Sequence, residues 1–381
     1  MTPSLPVYFE VLPRHLYVHV PFCARRCSYC DFSIAVRRET PVDEYLAGIA
    51  TELSVRFARD ATWTLETLYL GGGTPSRLGG DGVTRLIDLV RRHATLAPNA
   101  EVTIEANPDD VDATAARAWH RAGVNRLSLG VQSFDPRALA WMHRLHSPEA
   151  ATAALDAARD AGIKDVSIDL IFALPASLAR DWSRDLDLAL ALQPSHLSLY
   201  GLTVETHTPL GRWAARGDVI ESPEETYESE YLEADRRLTA AGLEHYEVSN
   251  FGRPGARSRH NSSYWSGVPY AGIGPAAHEY DGARRRWNVA PYAAWAKKLA
   301  AGGDPIDGEE TLTEENRLAE TVYLGLRTTD GLAVSPDEIE RVRPWIAAGW
   351  ATLDRNLLRL TPLGWLRLDA LATDLTVIRS R

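Results

Sequence analysis

The stretch PFCARRCSYCDF, residues 21–32, holds all three cysteines of the chain, Cys23, Cys27 and Cys30. An extracellular disulfide framework would spread an even number of cysteines along the sequence, so this cluster reads as a ligand set. The bland alternative, small hydrophobes that happen to cluster, fits poorly with a segment rich in Arg and aromatics. A structural zinc wants four tetrahedral ligands and would have to recruit a distant fourth, such as His19. Three thiolates suit an iron-sulfur cube in which one iron keeps an open coordination position, and an open position implies catalysis or ligand binding.

Working outward from this loop, short β-rich runs alternate with helical patterns. They are HLYVHV from His15, TLYLGG from Thr67, EVTIEAN from Glu101, RLSLGVQ from Arg126, DVSIDLIFAL from Asp165 and HLSLYGL from His196. Between them lie amphipathic stretches such as DEYLAGIATELSVRFARD and DGVTRLIDLVRRHATL. Each unit is therefore βα, and the sheet is expected to be parallel. The six runs predict a partial (β/α)6 barrel of α/β class, open at its mouth, with functional residues at the carboxyl ends of the strands. The motifs obey that rule. The cysteine loop follows the first strand, GGGTPS the second, Glu105 closes the third, Gln132 closes the fourth and Asp169 lies within the fifth.

Beyond the sixth run the pattern changes. Residues 1–205 read as the partial barrel, and 206–287 as a barrel-edge extension holding the acidic helical stretch SPEETYESEYLEADRRLTAAG, the run HYEVSNF and the segment RHNSSYW. Residues 288–381 read as a small, mainly helical C-terminal domain in which LLRLTPLGWLRL suggests a hairpin or wing. The 381 residues carry 41 Lys plus Arg against 51 Asp plus Glu, a formal charge of −10, so nucleic acid is not an expected partner. No apolar run reaches the roughly 18 residues needed to span a bilayer, and the first residues lack a leader pattern, so a cytoplasmic address is expected.

Single residues add chemistry. Gly71, Gly72 and Gly73 before Thr74 and Pro75 let backbone approach a ligand without side-chain interference. A carboxylate at Glu105 accepts hydrogen bonds from hydroxyl or amino groups, and helix capping is its plainer reading. Asp169 sits inside an apolar strand, where an acid costs stability unless it is partnered. The remaining histidines, including His19, His196, His207, His245 and His278, suit structural roles.

The spacing CARRCSYC resembles the signature of radical S-adenosylmethionine (radical-SAM) proteins. The resemblance implies a [4Fe-4S] cluster on Cys23, Cys27 and Cys30 whose open iron binds S-adenosyl-L-methionine, which an electron from the cluster cleaves to a 5'-deoxyadenosyl radical. Gly72, Gly73 and Thr74 resemble the loop that binds the methionine amino group. Glu105, Gln132, Arg144 and Asp169 match polar positions that bind S-adenosylmethionine in similar porphyrin-linked proteins, and Tyr17 matches a family ligand position. No residue is assigned a catalytic role.

Together YVHVPFCARRCSYCDF, LYLGGGTPS, EANP, LGVQSFD, IDLIFALP and YEVSNF resemble the oxygen-independent coproporphyrinogen III oxidase group, over residues 16 to about 280. That group holds true oxidases, which oxidatively decarboxylate two propionates of coproporphyrinogen III, and a branch of proposed heme chaperones named HemW. The oxidases carry a further Cys two positions after the third, where this chain has Asp31 and Phe32, and a longer segment before the cluster than the 22 residues here. Both departures point to the chaperone branch. His260, Asn261, Tyr264 and Trp265 reproduce the H-N-x-x-Y-W pattern associated there with heme, although a His packed between aromatics is the plainer reading of the residues alone. The resemblance implies heme as cargo, heme-accepting proteins such as respiratory enzymes, a membrane-associated partner and a monomer-dimer equilibrium. Arg284, Arg285 and Arg286 are candidates to meet heme propionates. A radical enzyme of unrelated substrate, such as a methyltransferase, is the third reading.

Overall fold

A computed structural model describes residues 9–57 and 63–380. Of the helical stretch expected at 43–60, residues 58–60 lie outside the described residues. The six runs form strands that lie side by side in chain order: β1 (His15–Val20), β2 (Thr64–Gly72), β3 (Thr95–Ala106), β4 (Arg126–Gln132), β5 (Asp165–Phe172) and β6 (His196–Gly201). Each pairs in parallel with the next. The helices α1 (Val42–Arg56), α2 (Gly79–Arg91), α3 (Ala113–Ala122), α4 (Pro148–Ala161) and α5 (Trp182–Ala191) make the crossovers. Local chemistry sets their ends: the Asp112 carboxylate accepts from the Thr114 and Ala115 backbone amides at the start of α3, and Gly123, at φ +105°, ends it.

Side chains alternate across the sheet. Leu16, Val18 and Val20 of β1 and Leu68 and Leu70 of β2 are fully buried against the helices, each contributing about 1.5–3 kcal/mol. The alternate residues, His15, Tyr17 and His19 of β1 and Thr67 and Tyr69 of β2, turn into the lumen, which is polar and hydrogen-bonded. There Ser128 donates to Asp169 at 3.1 Å, and the Ser167 hydroxyl pairs with His196 Nδ1 at 2.8 Å.

The 206–287 segment serves both edges of this sheet. After α6 (Glu224–Ala240), β7 (Glu244–Glu247) and β8 (Asn250–Gly252) extend the β6 edge antiparallel, so HYEVSNF is edge structure as expected. RHNSSYW forms a helix, α7 (Arg259–Trp265), capped by the Ser258 hydroxyl. The following β9 (Ala271–Ile273) then pairs in parallel with β1 at the other edge, a pairing the sequence did not announce. The resulting nine-stranded sheet runs β9-β1-β2-β3-β4-β5-β6-β8-β7, and its two edge strands do not pair with each other.

From Asn288 the chain is less purely helical than expected. IDGEET forms β12 (Ile306–Thr311), which joins β10 (His278–Tyr280) and β11 (Arg284–Asn288) in an antiparallel sheet. IDGEET carries no apolar alternation, so hydrophobic periodicity is silent on it; in register, β12 sets Glu310 opposite Arg285, and the two side chains pair at 3.8 Å. A buried polar bolt ties α1 to this region. Glu52 accepts from the Gly274 amide (2.9 Å), Asn288 Nδ2 (2.6 Å) and Trp295 Nε1 (2.9 Å), while Arg56 pairs with Glu52 and Glu279. Trp295 lies on α8 (Tyr292–Ala300).

The remainder comprises α9 (Glu314–Arg327), α10 (Pro336–Ala347) and α11 (Leu368–Arg379) with a small antiparallel sheet of β13 (Leu332–Ala333), β14 (Ala351–Asp354) and β15 (Leu357–Leu360). LLRL is one arm of the expected hairpin, and TPLGW turns into a short helix instead. No helix among the described residues is long and apolar enough to cross a membrane.

Candidate functional site

The cysteine loop is tied down at its base. Phe22–Cys23 pairs in parallel with Ala35–Val36, the Arg37 amide donates to the Cys23 carbonyl at 2.9 Å, and the loop rests on the segment after β4 through a Ser28 to Met142 backbone bond of 3.2 Å. The Gly-rich turn lies against it because Gly73 donates to the Val20 carbonyl at 2.8 Å. A Cβ at Gly73 would stand 2.6 Å from the Pro21 carbonyl oxygen, so only glycine permits this approach. Gly72 adopts φ +113°, in the left-handed region.

All three cysteines line one cavity of about 520 Å³ at the carboxyl ends of the strands. Gly72, Gly73, Thr74, Glu105, Gln132, Arg144 and Asp169 line it too, so seven of the eight residues assigned to S-adenosylmethionine are brought together. Tyr17 is behind this wall: its hydroxyl pairs with His19 Nδ1 at 3.1 Å and its ring stacks on Tyr69. Gln132 holds φ +69°, a conformation few residues with side chains adopt, which turns the end of β4 into the cavity.

The donor chemistry suits a cluster. Cys23 Sγ shares a hydrogen bond with the Thr74 hydroxyl at 3.3 Å, and the buried Arg144 guanidinium approaches Cys27 Sγ at 3.7 Å. Burial pushes the Cys23 thiol above its ordinary range and the Cys30 thiol up to about 11. Thiolates here therefore require a cationic centre to hold them. Arg144 also donates to Asn107 Oδ1 at 2.6 Å and to the Gly130 carbonyl at 2.5 Å, which fixes it beside the thiols.

Two carboxyls face the same space. Burial pushes Glu105 up to about 7, with the Asp169 charge adding to the rise and the Tyr69 hydroxyl (2.8 Å) and Gly72 amide (3.1 Å) holding it down. Burial likewise raises Asp169, against hydrogen bonds from Ser198, Ser128 and Ser167. The pair offers acceptors to a cationic, hydroxyl-bearing ligand. His19 is no fourth metal ligand: its Nε2 pairs with the Ser33 carbonyl at 3.0 Å, its Nδ1 with Tyr17, and it lies outside the cavity.

Asn107, Tyr69 and Ser128 were missed. Asn107 follows Glu105 by two residues, and Ser128 precedes Gly130 and Gln132 on the same face of β4, so strand alternation was the signal for both. Tyr69 announces no chemistry in sequence; it donates to Glu105 and its ring stacks on Tyr17 and His260.

The H-N-x-x-Y-W segment lies elsewhere. His260 is 1% exposed near the amino end of β2, with Nδ1 2.7 Å from the Thr67 hydroxyl, Nε2 2.8 Å from the Tyr264 hydroxyl and its ring stacked on Tyr69 at 4.9 Å. In this arrangement neither ring nitrogen is open to iron. Asn261 supplies its amide to the Ser258 cap, and the Arg327 guanidinium covers the Trp265 ring at 4.1 Å while pairing with buried Glu247 at 2.8 Å. The arginine triplet is also engaged: Arg284 pairs with Asp281, Arg285 with Glu320 and Arg286 with Glu279 and Asp281.

Comparison with known proteins establishes the family. Residues 17–189 match the family described as the Radical SAM superfamily. A protein of Mycobacterium tuberculosis named "Heme chaperone HemW" is 39% identical over 369 residues, covering 95% of each chain. The chain belongs to the HemW family of radical SAM proteins. A HemW protein of Bacillus subtilis is 35% identical, covering 83% of this chain and 84% of its own. Among solved structures, the Escherichia coli coproporphyrinogen III oxidase HemN superposes with a TM-score of 0.80 at 23% identity, over 95% of this chain and 89% of that one, which establishes the shared fold. Membership of the radical SAM superfamily implies an iron-sulfur cluster and S-adenosylmethionine, and the three cysteines of this chain line the cavity described above.

Proposed function

We propose that this protein is a heme chaperone: it binds a [4Fe-4S] cluster through Cys23, Cys27 and Cys30, holds S-adenosylmethionine beside it, takes up heme and delivers it to acceptor proteins such as respiratory enzymes. The convergence of three cysteines, the Gly72–Gly73–Thr74 turn and four polar side chains on one cavity carries this reading, with the HemW relatives beside it. When bound, the cluster supplies an open iron position and an electron. The chain's own part is to set the surroundings: Arg144 balances thiolate charge, Thr74 shares a hydrogen bond with Cys23, and Glu105 and Asp169 accept from the ligand's hydroxyl and amino groups. Phe32, which stands where the oxidases have a further cysteine, disfavours decarboxylation. For the H-N-x-x-Y-W helix, the geometry supports a role in closing the amino end of the barrel.

Anaerobic reconstitution followed by two assays on one sample tests the reading. Heme uptake by absorbance, without conversion of coproporphyrinogen III in the presence of S-adenosylmethionine and reductant, is the expected result. Decarboxylated porphyrin would overturn it in favour of the oxidase.

A further inference from the structure

The mouth of the cavity carries side chains that none of the motifs uses. Phe32 and Leu145 are 63% and 62% exposed, and both line the cavity. Large apolar side chains collected around a cavity mark a surface that something covers. His143 lines the same mouth. It stands at φ +61°, its amide held by the Ala140 carbonyl at 3.1 Å, and its ring meets Trp213 edge-on at 5.5 Å.

Of the two histidines lining the cavity, His146 is engaged through Nε2 with the Val131 carbonyl at 3.0 Å. The His143 imidazole has no hydrogen bond or ion pair among the described residues, nor has the exposed guanidinium of Arg25, which also lines the opening. Free imidazole, apolar faces and an unpaired cation together match one ligand chemistry: a flat apolar macrocycle with a central metal and carboxylates on its edge.

We propose that heme docks at this mouth, with His143 as an axial ligand to its iron and Arg25 meeting a propionate. The inference rests on the heme-chaperone reading above and names the site that reading lacks. The cavity's volume is that of a single small-molecule site, and its inner wall is committed to the cysteines and the S-adenosylmethionine side chains. A macrocycle therefore sits across the opening. His143 reaches the iron without rearrangement, whereas His260 would first have to break two hydrogen bonds and leave its stack on Tyr69. Heme in this position also shields the interior from solvent, which ties cargo loading to the state of the cofactors below.

The test is titration of the reconstituted full-length protein with ferric heme, read by its visible absorption bands. His143→Asn and His143→Gly are the variants, because both residues tolerate positive φ and so keep the turn. The expected result is affinity weaker by about tenfold or more, as even an outer-sphere partner of a metal ligand contributes that much. The bands of a histidine-ligated heme should also be lost and then return when free imidazole is added to His143→Gly. Variants that keep wild-type affinity and a histidine-ligated spectrum overturn the assignment. Wild-type protein that takes up no heme refutes the heme reading itself, and His143 falls with it.

Discussion

Glu105→Gln should flatten a pH dependence of stability that the buried carboxyl imposes on the cofactor-free protein. Glu105 titrates near 7 in the fold against its usual 4.5, with burial as the chief cause. The folded state therefore holds a proton that the unfolded chain has already released. The stability tied to this group is complete below pH 4.5, is lost as pH rises toward 7 and is level above that. The interval corresponds to about 3 kcal/mol, of which about 2 to 3 kcal/mol falls between about pH 5 and about pH 8.5. Gln keeps an oxygen to accept from the Tyr69 hydroxyl but presents an amide to the Gly72 N–H, a penalty that does not vary with pH. Urea denaturation of the reduced wild type and variant at several pH values isolates the effect, since other titrating groups cancel in the difference. The variant is expected to gain on the wild type as pH rises. Parallel stability curves would mean that Glu105 is already ionised in the fold at low pH, and the burial argument would fail.

Three further outcomes follow from the site and its supports. Gly73→Ala brings a Cβ to 2.6 Å from the Pro21 carbonyl, a strain of about 1–3 kcal/mol that moves the Gly-rich turn off the cysteine loop. Calorimetric titration should then show weakened S-adenosylmethionine binding with unchanged far-ultraviolet circular dichroism, and unchanged affinity would contradict it. Arg144→Gln withdraws a positive charge from beside Cys27, so the cluster potential, followed by electron paramagnetic resonance, should move to more negative values and iron retention should fall. A positive shift would refute the role given to Arg144. Arg327→Ala leaves Glu247, 0% exposed, without its ion pair and uncovers Trp265, and chemical denaturation should show a loss of about 3 kcal/mol or more. Unaltered stability would mean that Glu247 finds another partner.

The strand pattern was legible because it is local. HLYVHV and RLSLGVQ match β1 and β4 end to end, and the motif residues fall at the carboxyl ends where a parallel barrel places them. β12 was not legible because IDGEET has no apolar alternation, and the cross-strand ion pair it makes with β11, Arg285 with Glu310, joins residues 25 positions apart. β9 escaped because three residues, AGI, carry no period of their own and pair with β1 more than 250 positions away.

The same division runs through the site. Cys23, Cys27, Cys30, Gly73, Glu105 and Asp169 announce themselves by sequence alone, since loop spacing, a glycine run and an acid inside an apolar strand are all written in neighbouring residues. Whether a histidine is open to a ligand is settled by what packs against it. His260 sits in a recognisable motif, yet Thr67 of β2 and Tyr264 of the motif's own helix take up both of its nitrogens. His143 sits in none, yet the meeting of the segment after β4 with Trp213 leaves its imidazole free at the cavity mouth. Sequence by itself determined which cysteines stand together as the proposed ligand set and the strands that carry them. Tertiary structure alone decided which polar groups are spent on one another and which remain for a ligand, because hydrogen bonding in a buried lumen depends on distances between elements far apart in the chain.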